Sequence, residues 1–179
     1  MSRTTTSLAA IAAIAALGLA ACSSGAAPSS QPSAASGDTA SATQASSVTI
    51  DANDGAVEIN LPVTRAASLD NRTFEVLQQW DVELVAAPKK LIPSTITAFN
   101  GEGVADVGMH REPNLEALVA AEPDLIISGQ RFSKFDSQIK ELAPDVPLIN
   151  LEPRDGQPFD KELIRQVNDL GEIFGKQAE

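Results

Sequence analysis

The pattern of hydrophobic positions divides this chain into three segments of different kinds. From Leu8 to Ala21 the run is unbroken Ala, Ile and Leu with one Gly. From Ser23 to Ser47 no apolar period exists. From Val48 onward, short alternating or continuous apolar runs give way to helical spacings and back again. Val48–Ile50 and Ala56–Leu61 alternate around Asp51-Ala-Asn-Asp-Gly55, which predicts a β-hairpin.

A regular alternation follows. Strands are predicted at 66–69, 82–85, 104–107, 125–128 and 146–150. Between them lie helices at 71–79, 94–99, 115–121 and 134–142, and a last helix at 160–174. Asn114 has the side chain of an N-cap. Glu122-Pro123 ends the helix it begins, because the residue before proline avoids helical angles. Leu125-Ile-Ile-Ser128 is continuously apolar, as a strand covered on both faces requires. Leu163, Val167, Leu170 and Phe174 form the predicted buried stripe of the last helix, and Gly175 stops it. Strands alternating with helices imply an α/β fold: a Rossmann-like parallel sheet with helices on both faces, preceded by the hairpin.

Two motifs fail on residue type or spacing. A calcium loop starting at Asp51 would need glycine at Ala56 and glutamate at Pro62. Gly101, Gly103 and Gly108 have the wrong spacing for a dinucleotide fingerprint and precede a strand instead of following one.

Composition sharpens the first two segments. Residues 1–21 carry one charge, Arg3, ahead of a short apolar run and small residues, the pattern of a secretory signal peptide. The run is too short to span a bilayer comfortably. Leu19-Ala20-Ala21-Cys22 resembles the lipobox of bacterial lipoproteins, which implies lipidation of Cys22. Cys22 is the only cysteine, so no internal disulfide can form. Two acyl chains on it would anchor the chain stably to the outer, extracytoplasmic face of the cell membrane. Residues 22–47 then read as the anchor and a Ser/Ala/Pro linker, with an r.m.s. reach of about 25–30 Å. The folded part is 48–179.

The chain carries a formal charge of −11, which becomes −12 without Arg3. This balance argues against nucleic acid as a partner. It leaves room for an anionic ligand at a local basic mouth. Ligands in open α/β sheets bind beyond the carboxyl ends of the strands. The predicted strand-end loops are Asp70-Asn71-Arg72, Pro88-Lys89-Lys90, Gly108-Met109-His110-Arg111, Gly129-Gln130-Arg131 and Leu151-Glu152. They gather Arg72, Lys89, Lys90, Arg111 and Arg131. One cation about 4 Å from an anion gains about 4 kcal/mol at a surface-like dielectric, before desolvation. Catalytic chemistry is scarce. His110 is the only histidine, tyrosine is absent, and no serine sits in a nucleophile elbow. One histidine among scattered carboxylates is a poor metal set, so no metal or resident cofactor is expected.

Val107 to Leu118, with Pro113-Asn-Leu-Glu-Ala-Leu118, and Glu122-Pro-Asp-Leu-Ile-Ile-Ser-Gly129 together resemble the signature of bacterial iron–siderophore substrate-binding lipoproteins of ABC transporters. Arg65–Asp70, Leu142-Ala-Pro144 and Leu170–Gly175 support the resemblance, which is closest to the catecholate and petrobactin-type subgroup. It implies a non-enzymatic, monomeric receptor that holds a ferric siderophore and delivers it to a permease and ATPase. It also implies two lobes joined by a long helix, of which this chain holds the first. Ligand-binding residues implied by the resemblance and the strand-end positions are Arg131 first, then Arg111, Lys89, Lys90, His110 and Gln130. Cobalamin or haem on the same scaffold, and a truncated lipoprotein without a transport role, are the alternatives. Trp80-Asp81 stands where the family tends to have Leu-Gly, and Asp tolerates the left-handed turn this needs.

Overall fold

The computed structural model describes residues 46–177. The expected signal peptide, Cys22 and most of the linker lie outside the described residues. The hairpin pairs β1 (Ser47–Ala52) with β2 (Gly55–Asn60) antiparallel, in register from Ser47 opposite Asn60 to Ala52 opposite Gly55. Asn53 and Asp54 make the two-residue turn, and Gly55 takes φ 116° just beyond it.

The main sheet comprises β3 (Ala66–Ser68), β4 (Leu84–Ala87), β5 (Ala105–Asp106), β8 (Leu125–Ser128) and β9 (Leu148–Asn150). A small hairpin of β6 (Gly108–Met109) and β7 (Glu112–Pro113) stands between β5 and β8 in the chain. All pairings in the main sheet are parallel, in the order β5-β4-β3-β8-β9. The helices are α1 (Phe74–Gln79), α2 (Leu115–Ala120), α3 (Asp136–Leu142) and α4 (Phe159–Phe174).

Period-two alternation along the strands sends successive side chains to opposite faces. On one face Ala66, Leu84, Leu125, Ile127 and Ile149 pack with Phe74 and Leu77 of α1, Leu170 and Ile173 of α4, and Ile50 and Ile59 of the hairpin. On the other, Ala67, Ala86, Ile126 and Leu148 pack with Leu115 and Leu118 of α2 and Ile139 of α3. The expected α/β sheet, covered on both faces, is therefore present. β8 is buried at all four positions: Leu125, Ile126 and Ile127 form the apolar run of a strand covered on both faces, and the polar Ser128 is buried at its end.

Helix ends explain the shifts in boundaries. Asn114 Oδ1 accepts from the Ala117 N–H at 2.9 Å and caps α2. Asp81 adopts φ 54° after α1, and the N–H groups of Asp81 and Val82 return to the carbonyls of Gln78 and Leu77. This is a Schellman stop. It uses up Val82, so β4 starts at Leu84, two residues later than the apolar run predicts. The helix expected over 94–99 is only a 3₁₀ turn at Ala98–Asn100. Thr95, Ile96 and Thr97 are β-branched and disfavour the helix, and the Gln78 carboxamide oxygen instead accepts from the N–H groups of Thr97 and Ala98.

One expectation is corrected. The buried face of α4 is not the stripe Leu163, Val167, Leu170 and Phe174. Val167 is 40% exposed, whereas the polar Glu162 and Gln166 are buried beside Leu170 and Ile173. The helix is rotated so that two polar side chains face inward, where they meet the partners described below.

Candidate functional site: the cavity between β3 and β8

From β3 the chain adds strands in one direction, to β4 and β5, and then returns to add β8 and β9 on the other side of β3. The loops leaving β3 and β8 therefore diverge. In open parallel sheets such a switch point leaves a crevice outside the carboxyl ends of the strands, where ligands bind. A cavity of about 260 Å³ lies there, lined by Leu69, Asn71, Leu91, His110, Gln130, Arg131 and Phe132. Grooves of about 530 and 510 Å³ exist elsewhere, one beside β1 and the end of α4, the other between β4 and the 98–104 loop. Neither is lined by a basic side chain, and two further grooves of about 340 and 250 Å³ near the end of α4 carry one base, Lys176. The switch-point position, with Arg131 and His110 in the wall, and not size, singles out the strand-end cavity.

Three segments build it. The β3 loop contributes Leu69 and Asn71. Its Asp70 is fully buried and accepts from the Arg72 N–H at 3.0 Å, from Gln130 Nε2 at 2.7 Å and from Gln166 Nε2 at 3.0 Å. This contact is what turns Gln166 of α4 inward. The β8 loop crosses directly against Asp70. A Cβ on Gly129 would lie 2.8 Å from Asp70 Oδ2, so only glycine fits. Gln130 then takes φ 52° and opens a 3₁₀ turn, Gln130–Phe135, that carries Arg131 and Lys134. Ser128 Oγ donates to Asp136 Oδ1 and ties the far end of that turn back to β8. Burial raises the Asp136 carboxyl above its ordinary value, against the lowering by its Ser128 hydrogen bond. The third segment is the β6–β7 hairpin, whose two-residue tip is His110-Arg111.

The expected residues separate cleanly. Arg131 Nη1 lies 3.3 Å from His110 Nε2, and the His110 ring meets Phe132 edge-on at 6.4 Å between centroids. Partial burial, then the charges of Arg131, Lys134 and Arg111, hold His110 below its ordinary value of 6.5. Gln130 lines the cavity, but its carboxamide is spent on Asp70 and the Asn71 side-chain oxygen. Lys89 is not part of the wall: its Nζ donates to the Gly101 carbonyl at 2.7 Å. Lys90 is exposed and does not line the cavity. Arg72 is committed to carboxylates, 3.7 Å from both Asp70 and Glu152. Sequence reasoning missed Lys134, which acts on His110, and the apolar wall of Leu69, Leu91 and Phe132. The Lys134 position was visible only as the start of a predicted helix.

No carboxylate makes an ion pair with Arg131, Arg111 or Lys134 among the described residues. Lys134 Nζ instead sits 4.7 Å above the Phe135 ring. No cluster of His, Cys, Asp and Glu able to hold a metal ion is present among the described residues. The chemistry on offer is therefore the capture of an anion with an apolar or aromatic part, on a cationic rim.

The family model described as Periplasmic binding protein matches residues 67–179, and the chain belongs to that family of solute-binding proteins. The ferric-anguibactin-binding protein FatB of Vibrio anguillarum is 29% identical over 133 residues, which are 73% of this chain and 41% of FatB. The petrobactin-binding protein YclQ of Bacillus subtilis is 28% identical over 90 residues, 50% of this chain and 27% of YclQ. Its crystal structure superposes with a TM-score of 0.65 over 74% of this chain and 46% of that one, at 22% identity, which speaks for the fold. The iron uptake ABC transporter substrate-binding protein PiuA of Streptococcus pneumoniae gives a TM-score of 0.63 at 25% identity, covering 73% of this chain and 45% of PiuA. The chain thus spans less than half the length of the relatives it matches, as one lobe of a two-lobed protein would.

Proposed function

We propose that this chain is a solute-binding component of an ABC importer for ferric siderophores, and that the anionic iron chelate seats at the β3–β8 cavity. The observation that carries the reading is the Arg131–His110 pair at the switch point, with Arg111 and Lys134 beside it and no carboxylate paired to these cations among the described residues. A ferric catecholate complex is multiply anionic and has ring faces. Arg131 and Arg111 supply charge that is always present, and Phe132 and Leu91 supply the apolar wall. Relatives named for ferric anguibactin and petrobactin support the substrate class. In this reading Arg131 is the principal ligand contact, Arg111 and His110 are secondary, Lys89 and Gln130 hold the frame around the site, and Lys90 lies off the wall. Cys22 tethers the domain by lipid to the extracytoplasmic membrane face, where permease and ATPase subunits receive the cargo.

The test is calorimetric titration of the full chain with ferric catecholate, ferric hydroxamate, haem and cobalamin. The reading expects saturable binding of the anionic ferric chelates and weaker binding by Arg131→Ala. Preference for haem or cobalamin would move the substrate class; no binding of any ligand would end the proposal for this chain.

A further inference from the structure

His110 carries information beyond its place on the cavity wall. A guanidinium has only donors, so a hydrogen bond between Arg131 Nη1 and His110 Nε2 requires a lone pair on Nε2. The imidazole in this arrangement is neutral, with its proton on Nδ1. The surroundings enforce that state. Arg111 shares its hairpin tip, and Arg131 and Lys134 face it from the 3₁₀ turn after β8. On the turn Lys89–Leu91, which packs near the hairpin, Lys89 is turned to Gly101 and Lys90 is exposed. Asp106, at the base of the hairpin, spends Oδ1 on the N–H groups of Lys89 and Gly108. Glu112 is exposed on β7, and Arg72 on the β3 loop is held by Asp70 and Glu152. Partial burial and then the three cations act on the imidazole, and both oppose a second proton.

A multiply charged anion in the cavity reverses this balance. It screens the three cations and adds an attraction for an imidazolium. Resting on the siderophore reading, we propose that His110 makes ligand capture proton-linked: an anionic chelate enters the cavity together with one proton from solvent. The proton adds to Nε2 and cancels its bond from Arg131. The freed guanidinium N–H and the new imidazolium N–H both become donors to the anion. Affinity then rises as pH falls, by up to about tenfold per pH unit between the midpoints of the bound and free protein. Below the free-state midpoint, which lies under 6.5, it levels off. Above the bound-state midpoint the linkage vanishes.

The probe is hexacyanocobaltate(III), an inert, diamagnetic, octahedral trianion whose own charge does not change over this pH range. His110 is the only histidine, so its imidazole C–H resonances have a single source in the spectrum of the full chain. The expected result is a titration midpoint below 6.5 in the free protein, moving up at saturation with the anion. Calorimetry in two buffers of different ionisation enthalpy reads net proton uptake between the midpoints. His110→Gln binds with an affinity independent of pH over the same range. An unmoved midpoint, no binding of the trianion at millimolar concentration, or an equal pH dependence in His110→Gln would overturn the proposal. Ferric chelates binding with no pH dependence would sink the linkage alone. Failure of every ferric chelate while the trianion still shifts His110 would sink the siderophore reading instead.

Discussion

Two groups of arginines stand at the carboxyl end of the same sheet, and they do opposite things. Around α4, Arg154 and Arg165 close on Glu162. Arg154 meets it at 2.8 and 2.9 Å through Nη2 and Nε, and Arg165 Nε meets it at 3.1 Å. Arg165 also reaches Asp169 at 3.3 Å and the Leu151 and Glu152 carbonyls. Across the switch point, Arg131 has the His110 ring as its partner and no carboxylate among the described residues. The first group is spent on holding a helix to a loop. In the proposed function the second keeps its charge for the arriving chelate. An arginine at a strand end is thus not yet a ligand contact; what decides is whether the fold has already neutralised it.

This difference can be broken from either side. Arg165→Ala should cost about 1.5–3 kcal/mol of stability, because hydrogen bonds to buried charged groups are lost. Its effect on chelate affinity should stay within about twofold, since Arg165 lies outside the cavity wall. Chemical denaturation and calorimetry on the same variant check both halves. Arg131→Ala should do the reverse, weakening chelate binding about 10–100-fold. Its stability should change by less than about 0.5 kcal/mol, as expected of an exposed side chain.

Gly129→Ala should injure both groups at once. The added methyl meets the buried Asp70 carboxylate, which holds Gln130 on one side and Gln166 of α4 on the other. Overpacking at such a site costs about 1–3 kcal/mol. The smallest effect is graded by pH. Arg154, acting first through its side-chain hydrogen bond, holds the Glu162 carboxyl down to about 2 from an ordinary 4.5. A depressed carboxyl stabilises fully above its unfolded-chain value and loses that contribution as pH falls toward its folded value. The Tm gap between the protein and Glu162→Gln should therefore be constant at neutral pH and close progressively from pH 4.5 toward about 2.

Much of the frame was legible in the sequence because it is written in local chemistry. The Asn114 cap, the continuous Leu125–Ser128 strand and the hairpin turn at Asn53-Asp54 each depend on a few adjacent residues. The face of α4 was not legible. Periodicity shows that a helix has an apolar side, but Gln166 turns inward because Asp70, far away in sequence, is buried and needs a donor. The site was half legible for the same reason. That bases cluster at strand ends follows from the order of elements. That Arg72 and Lys89 are engaged while Arg131 keeps its charge depends on Glu152 and the Gly101 carbonyl, whose positions only the tertiary fold sets.

The central claim is that the chelate seats where the loops of β3 and β8 diverge. Replacing Fe³⁺ with diamagnetic Ga³⁺ in a tris-catecholate complex allows it to be mapped directly by amide chemical-shift changes at pH 7.5. The account predicts saturable shifts centred on Leu69, Asn71, His110 and Gly129 to Phe132, much reduced in Arg131→Ala. Shifts centred on the groove beside β1 and the end of α4, or none at millimolar complex, would contradict it.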